Sequence, residues 1–133
     1  MGVRDVVDLI HRAASIPTPD VKRAAGSIKC PLQLLPPEFL RQTAEAMGYG
    51  AYRAKRADGG QGYGPYNWRA SGVELPTYIG ALMRHTMAVA AGEWLDEGEK
   101  GSGLPHVAMI AANCAVLLDA AATGKLTGIE GRT

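Results

Sequence analysis

Apolar residues recur at helical spacing in four stretches of this chain, and prolines and glycines mark where each stretch begins and stops. Val6, Leu9 and Ile10 share one face of a segment from Val3 to Ala14 whose other faces carry Arg4, Asp5, Asp8, His11 and Arg12, which predicts a short amphipathic helix. The Ile16-Pro17-Thr18-Pro19 step ends it, because proline disfavours helix in the residue before it. From Asp20 to Pro37 charged residues mix with Leu32, Leu34 and Leu35, the pattern of an ordered, partly buried connector. Pro36 and Pro37 open a helix where a missing N–H costs nothing, predicted to run to about Met47, with Leu40, Ala44 and Met47 as its stripe, until Gly48 and Gly50 stop it. The stretch from Ala51 to Gly72 is glycine-rich and irregular, and a loop that long inside a domain usually serves function or moves. Pro76 starts the next helix, predicted to reach about Glu97 with Ile79, Leu82, Met83, Ala90, Trp94 and Leu95 buried, before Gly98 and Gly101-Ser102-Gly103 break it. The last helix, from near Pro105 to near Gly124, is apolar on nearly all sides, as at the centre of a bundle or in an oligomer interface. No convincing strand alternation occurs. The expected fold is all-α, a small bundle of three long helices and a short N-terminal one, forming a single domain over residues 1–133 and a homo-oligomer, dimer or tetramer.

Composition narrows the function classes. At 133 residues and 47% hydrophobic content the chain can bury one core, and a net charge of +1 argues against a nucleic-acid partner, whose phosphates demand a basic surface. Cys30 and Cys114 lack any paired spacing, so neither a disulfide framework nor a structural zinc site is indicated and a reducing compartment is the simpler setting. No apolar run reaches the roughly 18 residues of a membrane span, and Asp5 and Asp8 stand where a signal peptide would be apolar. The expectation is a soluble cytoplasmic protein without a membrane partner.

The polar residues inside apolar helices are where chemistry is sought. If the third helix runs to Glu97, at about 100° per residue His85 and Asp96 stand roughly 20° apart around the axis, with Glu93 one turn from Asp96. On the last helix His106 and Asn113 again share a face. Antiparallel pairing across the short Gly98 to Gly103 link would turn Glu93 and Asp96 toward His106. Paired carboxylates in a bundle cleft suit Mg²⁺ or Mn²⁺. A plainer reading stands beside this one: Glu93-x-x-Asp96 as solvated surface, His106 as a helix cap, Asn113 as a helix-to-helix hydrogen bond and Trp94 as core. The Gly60-Gln61-Gly62-Tyr63-Gly64 cluster follows no strand, and Gly124-Lys125 lacks the rest of a phosphate loop, so neither is a nucleotide motif.

Taken in order, Leu34-Leu35-Pro36-Pro37, Gly64-Pro65-Tyr66-Asn67-Trp68-Arg69, Arg84-His85, Gly92-Glu93-x-x-Asp96, Ser102-Gly103-Leu104-x-His106 and Asn113 resemble the signature of the small phage and bacterial dATP/dGTP diphosphohydrolases. That group belongs to the MazG-like all-α nucleotide pyrophosphohydrolases, and the resemblance spans roughly Ser27 to Leu118. It implies cleavage of a purine deoxynucleoside triphosphate between the α- and β-phosphates. In a phage that replaces adenine by 2-aminoadenine, such an enzyme in the host cytoplasm would supply dGMP. The chain departs from the family pattern in carrying one carboxylate pair, Glu93 and Asp96, where two are usual, and residues Tyr52 to Gly62 look inserted. For the metal ligands the resemblance reaches only the Glu93 and Asp96 pair; from the residues themselves the expected site has Glu93, Asp96 and His85 as catalytic residues and a metal held by Glu93, Asp96, His106 and Asn113, with Glu38 as a spare carboxylate. Lys29, Arg69 and Arg84 would meet the phosphates, Trp68 or Tyr66 would stack on the purine, and Asn67 would read its edge. Competing classes are a non-catalytic nucleotide-binding or regulatory subunit, and a plain helical interaction module whose polar residues are structural.

Overall fold

Helix ends decide where the polar residues of this chain point, and proline and glycine both help to set them. The structure, a computed structural model, describes residues 2–8, 20–27 and 29–129. The chain divides into two compact units, Met1–Leu40 and Arg41–Thr133.

In the first unit residues 3–8 are helical, and the rest of the helix expected from Val3 to Ala14 lies outside the described residues. The expected connector contains a helix instead, α1 (Asp20–Ser27), followed by a 3₁₀ turn at Leu32–Leu34. Its described apolar residues are exposed rather than partly buried, Val21 at 85%, Leu32 at 68% and Leu34 at 73%. Pro19 and Pro31 bracket a run containing neither proline nor consecutive β-branched residues, so nothing in it opposes a helix.

α2 (Pro37–Tyr52) begins at the expected prolines and runs past Gly48 and Gly50. Neither glycine has a positive φ, so each only weakens the helix, by about 1 kcal/mol relative to Ala. The helix stops where its last carbonyls find partners outside it. Ala54 N–H donates to Tyr49 O at 2.8 Å, Tyr63 N–H to Gly50 O at 3.0 Å and Gly64 N–H to Ala51 O at 2.9 Å. The intervening loop is ordered by a bridge between Lys55 and Gln61, by Arg56 on Asp58 and the Gly62 carbonyl, and by Lys55 Nζ on the Glu99 carbonyl.

A short helix α3 (Trp68–Ser71) leads into β1 (Val73–Glu74), which pairs in parallel with β2 (Leu126–Thr127) in the register Val73↔Leu126 and Glu74↔Thr127. This two-residue ribbon is the departure from an all-α fold; the described residues are otherwise mostly helical. α4 (Leu75–Ala90) and α5 (His106–Ala122) pack against each other. His85 near the end of α4 meets His106 at the start of α5, while Tyr78 near the start of α4 packs with Val116 and Ala120 near the end of α5, so the two run antiparallel.

α4 stops seven residues short of the expected Glu97. Gly92, at φ 95°, donates its N–H to Val89 O, and Glu93 N–H donates to Ala88 O at 2.9 Å, the paired bonds of a Schellman motif. Trp94 and Leu95 therefore lie off the helix, 58% and 41% exposed rather than buried, and Ile79 and Met83 are also exposed. The core has two parts joined through Met47: Trp68, Val73, Val116 and Ala120, and Ala46, Ala108 and Ala112. Ala108, Ala112, Val116 and Ala120 form a four-residue-spaced stripe whose small side chains let the neighbours approach α5 closely. No helix among the described residues is long and apolar enough to cross a membrane.

Candidate active site

The link between α4 and α5 folds back on itself and thereby builds a cluster of titratable side chains. Leu95 bridges Pro105, Asp96 N–H donates to Leu104 O at 2.8 Å, Gly103 N–H to Asp96 O at 2.7 Å, and His106 N–H to Trp94 O at 2.9 Å. Gly101 is required in this turn, because a Cβ there would stand 2.4 Å from the Asp96 carbonyl oxygen. The Asp96 carboxylate is fixed by Ser102, whose N–H and hydroxyl donate to Oδ2 at 3.1 and 2.9 Å.

His85, Asp96 and His106 thus come together, each offering a ligand atom, and these atoms lie within 4.8 Å of one another. The imidazoles approach Nδ1 to Nδ1 at 2.8 Å, so one donates and the other accepts. Burial, reinforced by the charges of His106 and Arg84 and opposed by Asp96, lowers the His85 pKa below its ordinary value and favours the neutral ring that a cation needs. His106 is 5% exposed, and its Nε2 is buried without a hydrogen-bond partner. Its nearest acid, Glu93 Oε2, is 3.7 Å away, too far for a hydrogen bond. An orphaned buried imidazole nitrogen is costly unless a ligand satisfies it, so the donor set fits a cation.

His85 also lines a cleft of about 740 Å³ formed by α2, α3, α4, α5 and the loop before α3. That volume is typical of a small-molecule site. Asn67, Trp68, Arg84 and Asn113 are on its wall, with Gly48 and Gly50 of α2 presenting bare backbone. Arg84 is exposed, and its guanidinium lies over Gly80 one turn back, where a Cβ would be 3.3 Å from Nη1.

The structure regroups the residues expected from sequence. Glu93 and Asp96 are not neighbours on a helix face, since α4 has already ended; Asp96 reaches the cluster through the folded link, while the Glu93 side chain is 68% exposed at its rim. His106 caps nothing, and its side chain belongs to the cluster. Asn113 is half-buried on the wall of the cleft that His85 also lines. Trp68 is 7% exposed and part of the core, although its edge reaches the cleft. Arg69 is engaged by Asp119, its Nε and Nη2 donating at 2.8 and 2.6 Å, and Trp68 Nε1 donates to the same carboxylate at 2.7 Å. Lys29 is exposed in the first unit, to which Glu38 also belongs. Sequence reasoning missed Asp119, yet a signal existed, because it is the one carboxylate in the apolar α5.

These features define a mostly helical protein with a ligand-sized cleft beside a candidate cation site. The family model for the N-terminal part of dATP/dGTP diphosphohydrolase matches residues 19–129, and the chain belongs to that family. The comparisons with curated proteins and with solved structures give no match.

Proposed function

We propose that this protein hydrolyses purine deoxynucleoside triphosphates, dGTP and dATP, to the monophosphate and pyrophosphate with the help of a divalent ion. The observation that carries this reading is the His85, Asp96 and His106 cluster, with its unpartnered buried nitrogen, at the wall of a nucleotide-sized cleft in a member of this family. His85, Asp96 and His106 would hold the ion, with Glu93 at the rim. Of Mg²⁺ and Mn²⁺ the set suits Mn²⁺ better, because Mg²⁺ takes oxygen ligands almost exclusively and two of these donors are imidazoles. A bound ion of this kind neutralises phosphate charge and lowers the pKa of a coordinated water.

The chain's own residues supply the rest. Arg84 on the cleft wall offers a planar cation to phosphate oxygens. Ser102 holds the Asp96 carboxylate in a single orientation. The bare helix backbone at Gly48 and Gly50 lets a ligand come close. In a phage with 2-aminoadenine DNA the product dGMP would feed synthesis of the modified purine.

A second reading, a nucleotide-binding subunit without turnover, is favoured by two observations: only one carboxylate, Asp96, joins the cluster, and Arg69 is already paired. A product assay over dGTP, dATP, GTP and dCTP with Mn²⁺, Mg²⁺ or a chelator separates the two. Pyrophosphate and dGMP from dGTP, abolished by the chelator, is the expected result. Binding without any product would leave the second reading.

A further inference from the structure

We propose that Tyr66 is the platform on which the purine base stacks, and that Asp119 positions that platform through Arg69 and Trp68. The inference rests on the nucleotide reading of the same cleft and assigns the part of it that would read the base.

Three tyrosines on the cleft wall stay more than half exposed, Tyr52 at 65%, Tyr63 at 53% and Tyr66 at 58%. Tyr66 differs from the other two in its backbone. Its φ is 53°, and it is the non-glycine residue with a left-handed backbone among the described residues. A tyrosine there is held against its own preference, and such outliers persist where the surroundings over-determine them, most often at ligand sites.

Two neighbouring side chains, Arg69 and Trp68, surround it. The Arg69 guanidinium lies 4.6 Å from the centre of the Tyr66 ring, and the Trp68 ring centre is 5.3 Å away at 40°. Arg69 is in turn gripped by both carboxylate oxygens of Asp119, and Trp68 Nε1 donates to one of them. One acid on α5 therefore fixes both side chains that flank the ring. With its charge met by Asp119, Arg69 serves as a support for the aromatic ring rather than as a free phosphate clamp. Trp68, almost wholly buried, has little ring left to offer a ligand. Asn67 beside it is half-buried on the same wall and makes no capping bond with its side chain, so its amide is placed to meet the edge of a base stacked on Tyr66.

The test is equilibrium binding of dGMP, dAMP and base-free 2-deoxyribose 5-phosphate to the wild type and to Tyr66→Ala, Tyr66→Phe, Tyr52→Ala and Tyr63→Ala, each checked for folding by circular dichroism. Loss of a base–aromatic stack should weaken both monophosphates about 10-fold or more in Tyr66→Ala, while Tyr66→Phe keeps its affinity and the sugar phosphate binds all variants alike. Asp119→Asn should weaken dGMP in the wild-type background and add nothing in the Tyr66→Ala background, a non-additivity that a purely structural Asp119 would not produce. With dGTP as substrate, the KM of Tyr66→Ala should rise more than its kcat falls. Unchanged dGMP affinity in Tyr66→Ala, a loss in Tyr52→Ala or Tyr63→Ala instead, or no dGMP binding by the wild type would each overturn the platform. Wild-type dGMP binding that Tyr66→Ala abolishes, without pyrophosphate release from dGTP, upholds the platform and removes the hydrolase reading.

Discussion

Asp96 does two jobs with one carboxylate: it accepts both bonds from Ser102 and stands within ligand range of two histidines. Its substitution must therefore be read against a control that disturbs the turn alone. Asp96→Asn is expected to lower pyrophosphate release by roughly 10²-fold or more, the scale of losing a central electrostatic contact. Ser102→Ala, which removes the hydroxyl bond to Asp96 and the acceptor of the Leu104 N–H but leaves the backbone donor, should cost only a few-fold. Equal losses in the two would assign Asp96 to the turn. Glu93→Gln should leave stability unchanged and cost less activity than Asp96→Asn, because Glu93 is largely solvated. Asp119 makes a separate prediction in pH. The Arg69 guanidinium, and after it the Trp68 N–H, hold its pKa down from 3.8 to about 2. A carboxyl whose folded pKa is depressed contributes stability that is present above its unfolded value and is lost as pH falls through the folded one. The stability gap between wild type and Asp119→Asn should accordingly be flat from neutral pH down to about 4 and shrink from there toward about 2. Urea unfolding at stepped pH reads it, and a gap still constant at pH 2 would mean the salt link does not exist in solution.

At the scale of elements, the glycines that matter are those whose place no other residue takes easily, by conformation or for lack of room. Gly92 ends α4 with a left-handed φ, and Gly101 has no room for a Cβ. Gly92→Ala should cost about 1–2 kcal/mol, the usual penalty for a side chain in the left-handed region. Gly101→Ala should cost more, since it pushes on backbone atoms of Asp96 and Glu97 and misplaces the carboxylate. Thermal unfolding and pyrophosphate release together check this, Gly101→Ala losing activity out of proportion to stability. The same glycines explain what was legible beforehand. The prolines at the starts of α2 and α4 and the approximate start of α5 can be read locally, because proline fixes φ wherever it stands. The end of α4 could not, since Trp94 and Leu95 continue the apolar spacing past Gly92 and hide the stop. Asp96 and His106 were still brought together correctly in outline, because a short link between antiparallel helices joins those ends whether or not the link itself is helical. The Arg69 to Asp119 pair spans fifty residues, and no local pattern carries that distance.

Among the described residues of the whole molecule, more large apolar side chains are exposed than are buried in the core. Ile79, Met83 and Met87, spaced four apart along α4, are 41%, 58% and 67% exposed, and with Leu82 and Thr86 they line a shallow apolar depression. On α5, Val107 is 44% and Leu118 73% exposed. Contiguous apolar surface of this kind marks an association site more often than a solvated face. We propose that a second copy of the chain covers it, as a two-fold dimer in which the same patch meets itself, since that is the commonest closed arrangement and needs only one complementary surface. Multi-angle light scattering at micromolar concentration should give a dimer or a tetramer for the wild type. Met83→Glu, which puts a charge in the middle of the exposed α4 stripe, should shift the mass to that of a monomer while leaving helical content intact. Leu118→Glu tests the α5 flank in the same way, and whichever substitution dissociates the protein identifies the helix at the contact. A wild type that is monomeric at that concentration would sink the dimer and leave the α4 stripe to some other partner.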